Sequence, residues 1–100
     1  MGNEGEEKQY RRELFIKLLL MLRAGTLQNL GMLTNPITGK KEVKLELAKE
    51  TIDMLELLRE KTSGNLTEPE QEMLDNLLTE LRLLYVKVRD KGEQQSKEEG

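Results

Sequence analysis

The sequence contains no cysteine and no histidine, and these two absences exclude most kinds of catalytic and metal site. Without cysteine there can be no disulfide, no thiolate metal ligand and no redox chemistry at sulfur. Without histidine the chain lacks the commonest general base and the commonest metal ligand. We therefore expect neither a metal nor a cofactor, and we expect that the protein is not an enzyme.

Aromatic residues are also scarce, and the 16 lysines and arginines are outnumbered by 19 acidic residues. Aromatics make up 3% of the chain, so there is little on which nucleic-acid bases could stack. The net charge of −3 argues against general binding to phosphate backbones, and nucleic acid is not expected as a partner. One alternative stays open, a small nucleic-acid-associated regulator. It would use Arg11, Arg12, Lys40 and Lys41 if the fold brings them together.

The chain also lacks a long hydrophobic run. The uncharged apolar stretch 18–22 lies between Lys17 and Arg23, whereas a membrane-spanning helix needs about 20 mostly apolar residues. Arg11 and Arg12 loosely resemble a twin-arginine export signal, but no small-x-small cleavage site follows them. We therefore expect no membrane partner and no export.

The residues that are abundant, leucine and the charged types, alternate with a helical period. Apolar residues three and four positions apart predict three helices, at about 10–30, 45–62 and 68–90. Residues 43–47 alternate between apolar and charged, which would also fit a short extended segment. We favour a helix that begins at about Leu45.

The two ends of the chain differ in composition from its middle. Residues 1–8 and 91–100 are polar and without apolar period, which predicts a disordered leader and a disordered tail. The remaining part, 9–90, is short enough to form a single helical domain.

The stretch 61–70 predicts a helical hairpin. Gly64 can end helix 2 in the left-handed region without steric cost. Thr67 and Glu70, three residues apart, have the spacing of a capping box at the start of helix 3. Within helix 2, Arg59 falls inside the apolar arc, so its guanidinium should either extend to solvent or find a carboxylate.

Helix 1 is apolar on nearly every side, and this feature predicts oligomerisation. A hairpin of two helices covers about half of its circumference, so about four large side chains would stay exposed in a monomer, at about 1.5–3 kcal/mol each. The sequence therefore predicts an all-α, three-helix protein in which the hairpin of helices 2 and 3 packs on helix 1 and helix 1 joins the copies. Two opposite faces of helix 1 carry the apolar residues Leu14, Leu18, Met21 and Leu22 on one, and Ile16, Leu20, Ala24 and Leu27 on the other.

The predicted function is a homo-oligomeric helical scaffold or protein-interaction module. Its partners would be further copies of itself, as a dimer or a larger assembly, and another protein. The predicted interface combines the second face of helix 1 with apolar residues on the polar sides of helices 2 and 3. Its residues are Ile16, Leu20, Leu27, Leu57, Leu83 and Val86.

Four short motifs carry a resemblance to a known family. They are the Pro-x-Thr-Gly turn at 36–39, the Ala-Lys-x-Thr-Ile-Asp run at 48–53, the Lys-Thr-x-Gly-Asn-Leu-Thr turn at 61–67 and the Leu-Arg…Tyr-Val ending at 81–86. With them, the stretch from about 15 to 86 resembles the small bacterial family catalogued as domain of unknown function eighteen-forty-four. The resemblance implies a bacterial cytoplasmic protein with no assigned activity, and it supplies no functional residues.

Overall fold

A computed structural model describes the backbone of residues 3–99 and the side-chain surroundings of residues 3–92. It contains three α-helices, α1 (Asn3–Asn29), α2 (Leu45–Lys61) and α3 (Glu68–Glu99), and each packs against the other two. Over the described backbone there is no β-strand, and the pairing of Leu30 with Val43 is an isolated bridge. The predicted all-α fold of three helices is confirmed.

The outer ends of α1 and α3 differ from the prediction. The first helix, α1, begins at Asn3, and the last helix, α3, continues to Glu99. The sequence pattern had predicted a disordered leader over 1–8 and a disordered tail over 91–100. The physical reason is that low hydrophobicity excludes a core but not a helix. Glutamate, glutamine and lysine favour helix, and Glu4 and Glu6 suit the positive end of the α1 dipole. Residues 1, 2 and 100 lie outside the described part.

The three helices run up, down and up. The Lys44 amide donates to the Asn29 carbonyl at 2.6 Å, which places the start of α2 beside the end of α1. α2 therefore runs antiparallel to α1, and the turn that follows sends α3 back parallel to α1. Because α1 and α3 are both longer than α2, the molecule extends 67 Å along its length but only 29 and 16 Å across.

The core is a leucine cluster shared by all three helices. Burying such a side chain fully stabilises the fold by about 1.5–3 kcal/mol. Half-buried residues such as Phe15, Leu22 and Leu58 pack around the cluster. Its buried members are Leu19, Leu27, Ile52, Leu55, Leu74, Leu77, Leu78 and Leu81.

The hairpin turn between α2 and α3 forms as predicted. Gly64 has a φ of +85°, in the left-handed region. The Thr67 amide donates to Glu70 Oε1 at 2.9 Å, and the Glu70 amide donates to Thr67 Oγ1 at 3.3 Å. This reciprocal pair is the predicted capping box, and it fixes the first turn of α3.

A second glycine, Gly31, ends α1. Its amide donates to the Gln28 carbonyl at 3.0 Å and the Met32 amide donates to the Leu27 carbonyl at 2.9 Å, which is the Schellman pattern. Gly31 has a φ of +76°, and a Cβ built on it would lie 2.8 Å from Val43 Cγ2. The bridge that includes Val43 thus packs directly on this glycine. The chain is extended through Val43 and helical from Leu45, as favoured from the sequence.

We expect Gly31→Ala to destabilise the protein more than Gly64→Ala does. Both variants must adopt a left-handed backbone, at about 1–2 kcal/mol, but only Gly31 brings a Cβ against Val43, whereas at Gly64 nothing lies within 4 Å. Urea unfolding followed by circular dichroism measures both free energies. Equal losses in the two variants would contradict the close packing of Val43 on Gly31.

Candidate functional site

Two ion pairs join α2 to α3 on one side of the bundle. Arg59 Nε lies 2.7 Å from Asp75 Oδ1, and Arg82 Nη2 lies 3.1 Å from Glu56 Oε2. Of the two expected arrangements for Arg59, extension to solvent or pairing with a carboxylate, the structure shows the pairing. All four side chains are well exposed, so these pairs orient the helices more than they stabilise them.

A third ion pair joins α1 to α3. Arg23 Nε donates to Glu80 Oε1 at 2.7 Å, and Arg23 Nη2 donates to Glu80 Oε2 at 3.3 Å. The hydrogen bond, helped by the attraction of the two charges, raises the pKa of Arg23 and lowers the pKa of Glu80. This bidentate pair fixes which side of α1 faces α3.

A shallow apolar groove lies beside that ion pair, between α1 and α3. Its volume is about 260 Å³, and Leu20 forms part of its wall. The ion pair and the amide of Asn76 are its polar groups. The lining residues are Leu19, Leu20, Arg23, Met73, Asn76, Leu77 and Glu80.

The most exposed apolar surface of α1 lies on its outward side. Tyr10, Leu14, Leu18 and Met21, here called the outer stripe, fall within an arc of about 80° at 100° per residue. The buried Leu19 lies on the opposite side of the same helix. Tyr10 is 61% and Met21 66% exposed, and the two leucines are also exposed. With Leu20, α1 thus leaves five large apolar side chains in water, in agreement with the expected surplus.

The apolar surface continues from α1 onto α2. Leu47 and Met54 are both exposed. On the wheel of α2 they lie on the flank away from Glu56, whose carboxylate reaches α3. In a bundle of three helices the flank of α2 away from α3 borders α1. Leu47 and Met54 therefore extend the apolar area next to the outer stripe.

The residues predicted as an interface do not form one surface. Leu27 is only 7% exposed and belongs to the core, so its place in an interface is wrong. Ile16 is half-buried. Leu20 lines the groove between α1 and α3. The remaining three are exposed on the outer sides of α2 and α3, and they are Leu57, Leu83 and Val86.

The sequence pattern predicted that the side of α1 with Ile16, Leu20 and Leu27 faces outward, whereas the outward side is the outer stripe. The inward side contains Phe15, Leu19, Leu22, Thr26 and Leu30, spaced by three or four. Thr26 is fully buried, and its hydroxyl donates to the Leu22 carbonyl at 2.8 Å. A polar residue in the middle of this line hid it among the other leucines, because a threonine whose hydroxyl is satisfied within the helix can be buried.

The residues of the nucleic-acid alternative also lie apart. Arg11 and Arg12 are in the first half of α1, whereas Lys40 and Lys41 follow the end of that helix. From Arg12 to Asn29 the helix rises about 26 Å. The structure therefore places Arg11 and Arg12 apart from Lys40 and Lys41 along the bundle.

The connection between α1 and α2 is held by local hydrogen bonds. Asn35 Oδ1 accepts from the amides of Ile37 and Thr38, and the Asn35 amide donates to the Lys40 carbonyl. The turn keeps Ile37 92% exposed. These contacts explain the Pro-x-Thr-Gly motif as local structure.

The sequence matches one known protein family. The family model for Domain of unknown function (DUF1844) matches residues 13–87, three-quarters of the sequence. The chain belongs to this family. The DUF1844 match includes Leu14, Leu18 and Met21 of the outer stripe and all of α2. No curated protein matches the chain, and no solved structure matches it.

Among the described residues of this DUF1844 chain, no group of three or more carboxylates could hold a metal ion. None of the helices there combines the length and the apolar character that crossing a membrane requires.

We expect acid to lower the free energy of unfolding more in the unchanged protein than in the Glu80→Gln variant. The folded state holds the pKa of Glu80 below its ordinary value of 4.5, so the contribution of the pair is present above that value and lost as the pH falls through the folded pKa. Because both side chains are about two-fifths exposed, the difference should stay below about 1 kcal/mol. Urea unfolding between about pH 6 and pH 2.5 measures it.

The matched control is Glu72→Gln, which removes a charge from an exposed site on the same helix. Its unfolding curves should follow those of the unchanged protein as acid is added. Parallel pH profiles for the unchanged protein and Glu80→Gln would contradict a contribution from the Arg23–Glu80 pair.

Proposed function

We propose that this DUF1844 protein is a non-enzymatic helical scaffold that associates with itself through the outer stripe of α1. The supporting observation is that Tyr10, Leu14, Leu18 and Met21 form a line of exposed apolar side chains on a helix whose opposite side is already in the core. Contiguous apolar surface of this kind marks interaction sites on proteins.

Each of these four side chains is roughly half exposed. Covering the exposed half of one would recover about 1 kcal/mol, since full burial is worth about 1.5–3 kcal/mol. A second copy presents the same stripe and, beside it, Leu47 and Met54. An interface with copies of itself therefore covers the surplus of both partners at once.

The alternatives receive less support. The arginines that bridge the helices are engaged in ion pairs on the surface, where catalysis has no desolvated group to use. The basic residues considered for nucleic acid lie at different ends of α1. The bacterial, cytoplasmic setting implied by the resemblance is part of this proposal.

We expect Leu14→Glu to dissociate the oligomer, because it would bury a carboxylate in the apolar contact. Size-exclusion chromatography with light scattering, over a dilution series, measures the mass in solution. The unchanged chain should give a multiple of its own mass that falls on dilution, and the variant should give the mass of one chain.

Leu57→Glu is the matched control, because Leu57 is a similarly exposed leucine on the outer side of α2. It adds the same charge but should leave the oligomer intact. An unchanged chain that is monomeric at every concentration would overturn the proposal. Dissociation by Leu57→Glu, with Leu14→Glu still associated, would overturn the choice of surface.

A further inference from the structure

The outer stripe has a spacing that reads nearly the same in both directions. Its members are separated by four, four and three residues along α1. If two such helices lie antiparallel, Tyr10 falls opposite Met21 of the other copy, and Leu14 falls opposite Leu18. The Tyr10–Met21 pair is centred between residues 15 and 16, and the Leu14–Leu18 pair is centred on residue 16, about 0.75 Å further along the helix. A twofold contact needs this property, because residue i must meet j while j meets i.

The charges beside the stripe fit the same centre. Glu13 and Lys17 lie on one edge of the stripe, and in an antiparallel pair the same edges of the two helices face each other. Measured along the helix axis, Lys17 of one copy then lies about 1.5 Å from Glu13 of the other copy. The two Lys17 residues are about 4.5 Å apart along the same axis. The nearest charge across the contact is therefore the opposite one, on both sides of the axis.

The direction of the two helices also matters for the acidic end of α1. The first turns of α1 carry Glu4, Glu6 and Glu7. An antiparallel pair keeps these glutamates away from their own copies and opposes the two helix dipoles. A parallel pair would set the three glutamates beside their own copies, where like charges repel.

Small residues lie where the acidic end would approach. Ala24 and Gly25 are on the outward side of α1, and a Cβ built on Gly25 meets nothing within 4 Å. In the antiparallel arrangement they fall opposite Glu6 and Glu7. The outer surface is therefore open at Gly25, where the acidic end would approach.

We propose that the assembly is a dimer in which two copies pair their α1 helices antiparallel, with the twofold axis between residues 15 and 16. This inference rests on the proposed function and adds the partner, its direction and its register. Two hairpins of α2 and α3 then lie on the outside of a central pair of α1 helices.

The absence of cysteine from the sequence allows a direct test by disulfide formation. Glu7→Cys and Gly25→Cys place single thiols on the same edge of the stripe, at positions that the proposed register brings face to face. In the same dimer, each position lies more than about 20 Å from its own equivalent. A disulfide needs Cα atoms less than about 7 Å apart. Intact-mass spectrometry after mild oxidation distinguishes the mixed product from the two symmetric ones.

We expect the mixture of the two variants to give the mixed disulfide. Each variant alone should give no more symmetric disulfide than it gives when Leu14→Glu, which dissociates the dimer, is added. Symmetric disulfides in each variant alone would show a parallel pair and overturn the proposal. A light-scattering dimer without the mixed disulfide would also overturn this register, while leaving self-association in place. A monomer by light scattering would overturn both.

Discussion

The fold depends on a helix with more apolar surface than its two neighbours can cover. α2 and α3 bury one side of α1, where Leu19 and Leu27 enter the core. The outer stripe, on the other side, remains in water. A bundle of three helices has no fourth element to place there, because the rest of the described chain is either the connecting loop or the outer ends of α1 and α3. The association that we propose follows from this excess of apolar surface.

The ion pairs between helices agree with the packing that leaves the outer stripe exposed. Arg23 reaches Glu80 on α3, and this contact requires the side of α1 with Leu19 to point inward. The two pairs between α2 and α3 set the hairpin in the same way. These pairs are exposed and contribute little stability, but together with the leucines they select one packing among several that the leucines alone would allow.

The sequence was sufficient to predict three helices and the local features between α2 and α3. The hairpin turn and the capping box at Thr67 and Glu70 were predicted, because the residues that form them lie close together along the chain. The inward side of α1 could not be predicted. With leucine on both sides, its choice depends on Arg23 meeting Glu80 and on the burial of Thr26, which are properties of the packed bundle. The helical ends were missed because composition predicts core formation better than helix formation.

The most direct test of the account is the rate at which its methionines are oxidised by dilute peroxide. In the isolated chain Met21 is 66% exposed and Met32 is 39% exposed, so exposure alone makes Met21 the faster of the two. If a second copy covers the outer stripe, Met21 should be oxidised more slowly than Met32 at high protein concentration, and dilution should reverse the order. Mass spectrometry of the peptides gives both rates in one sample. Faster oxidation of Met21 at every concentration would contradict the account.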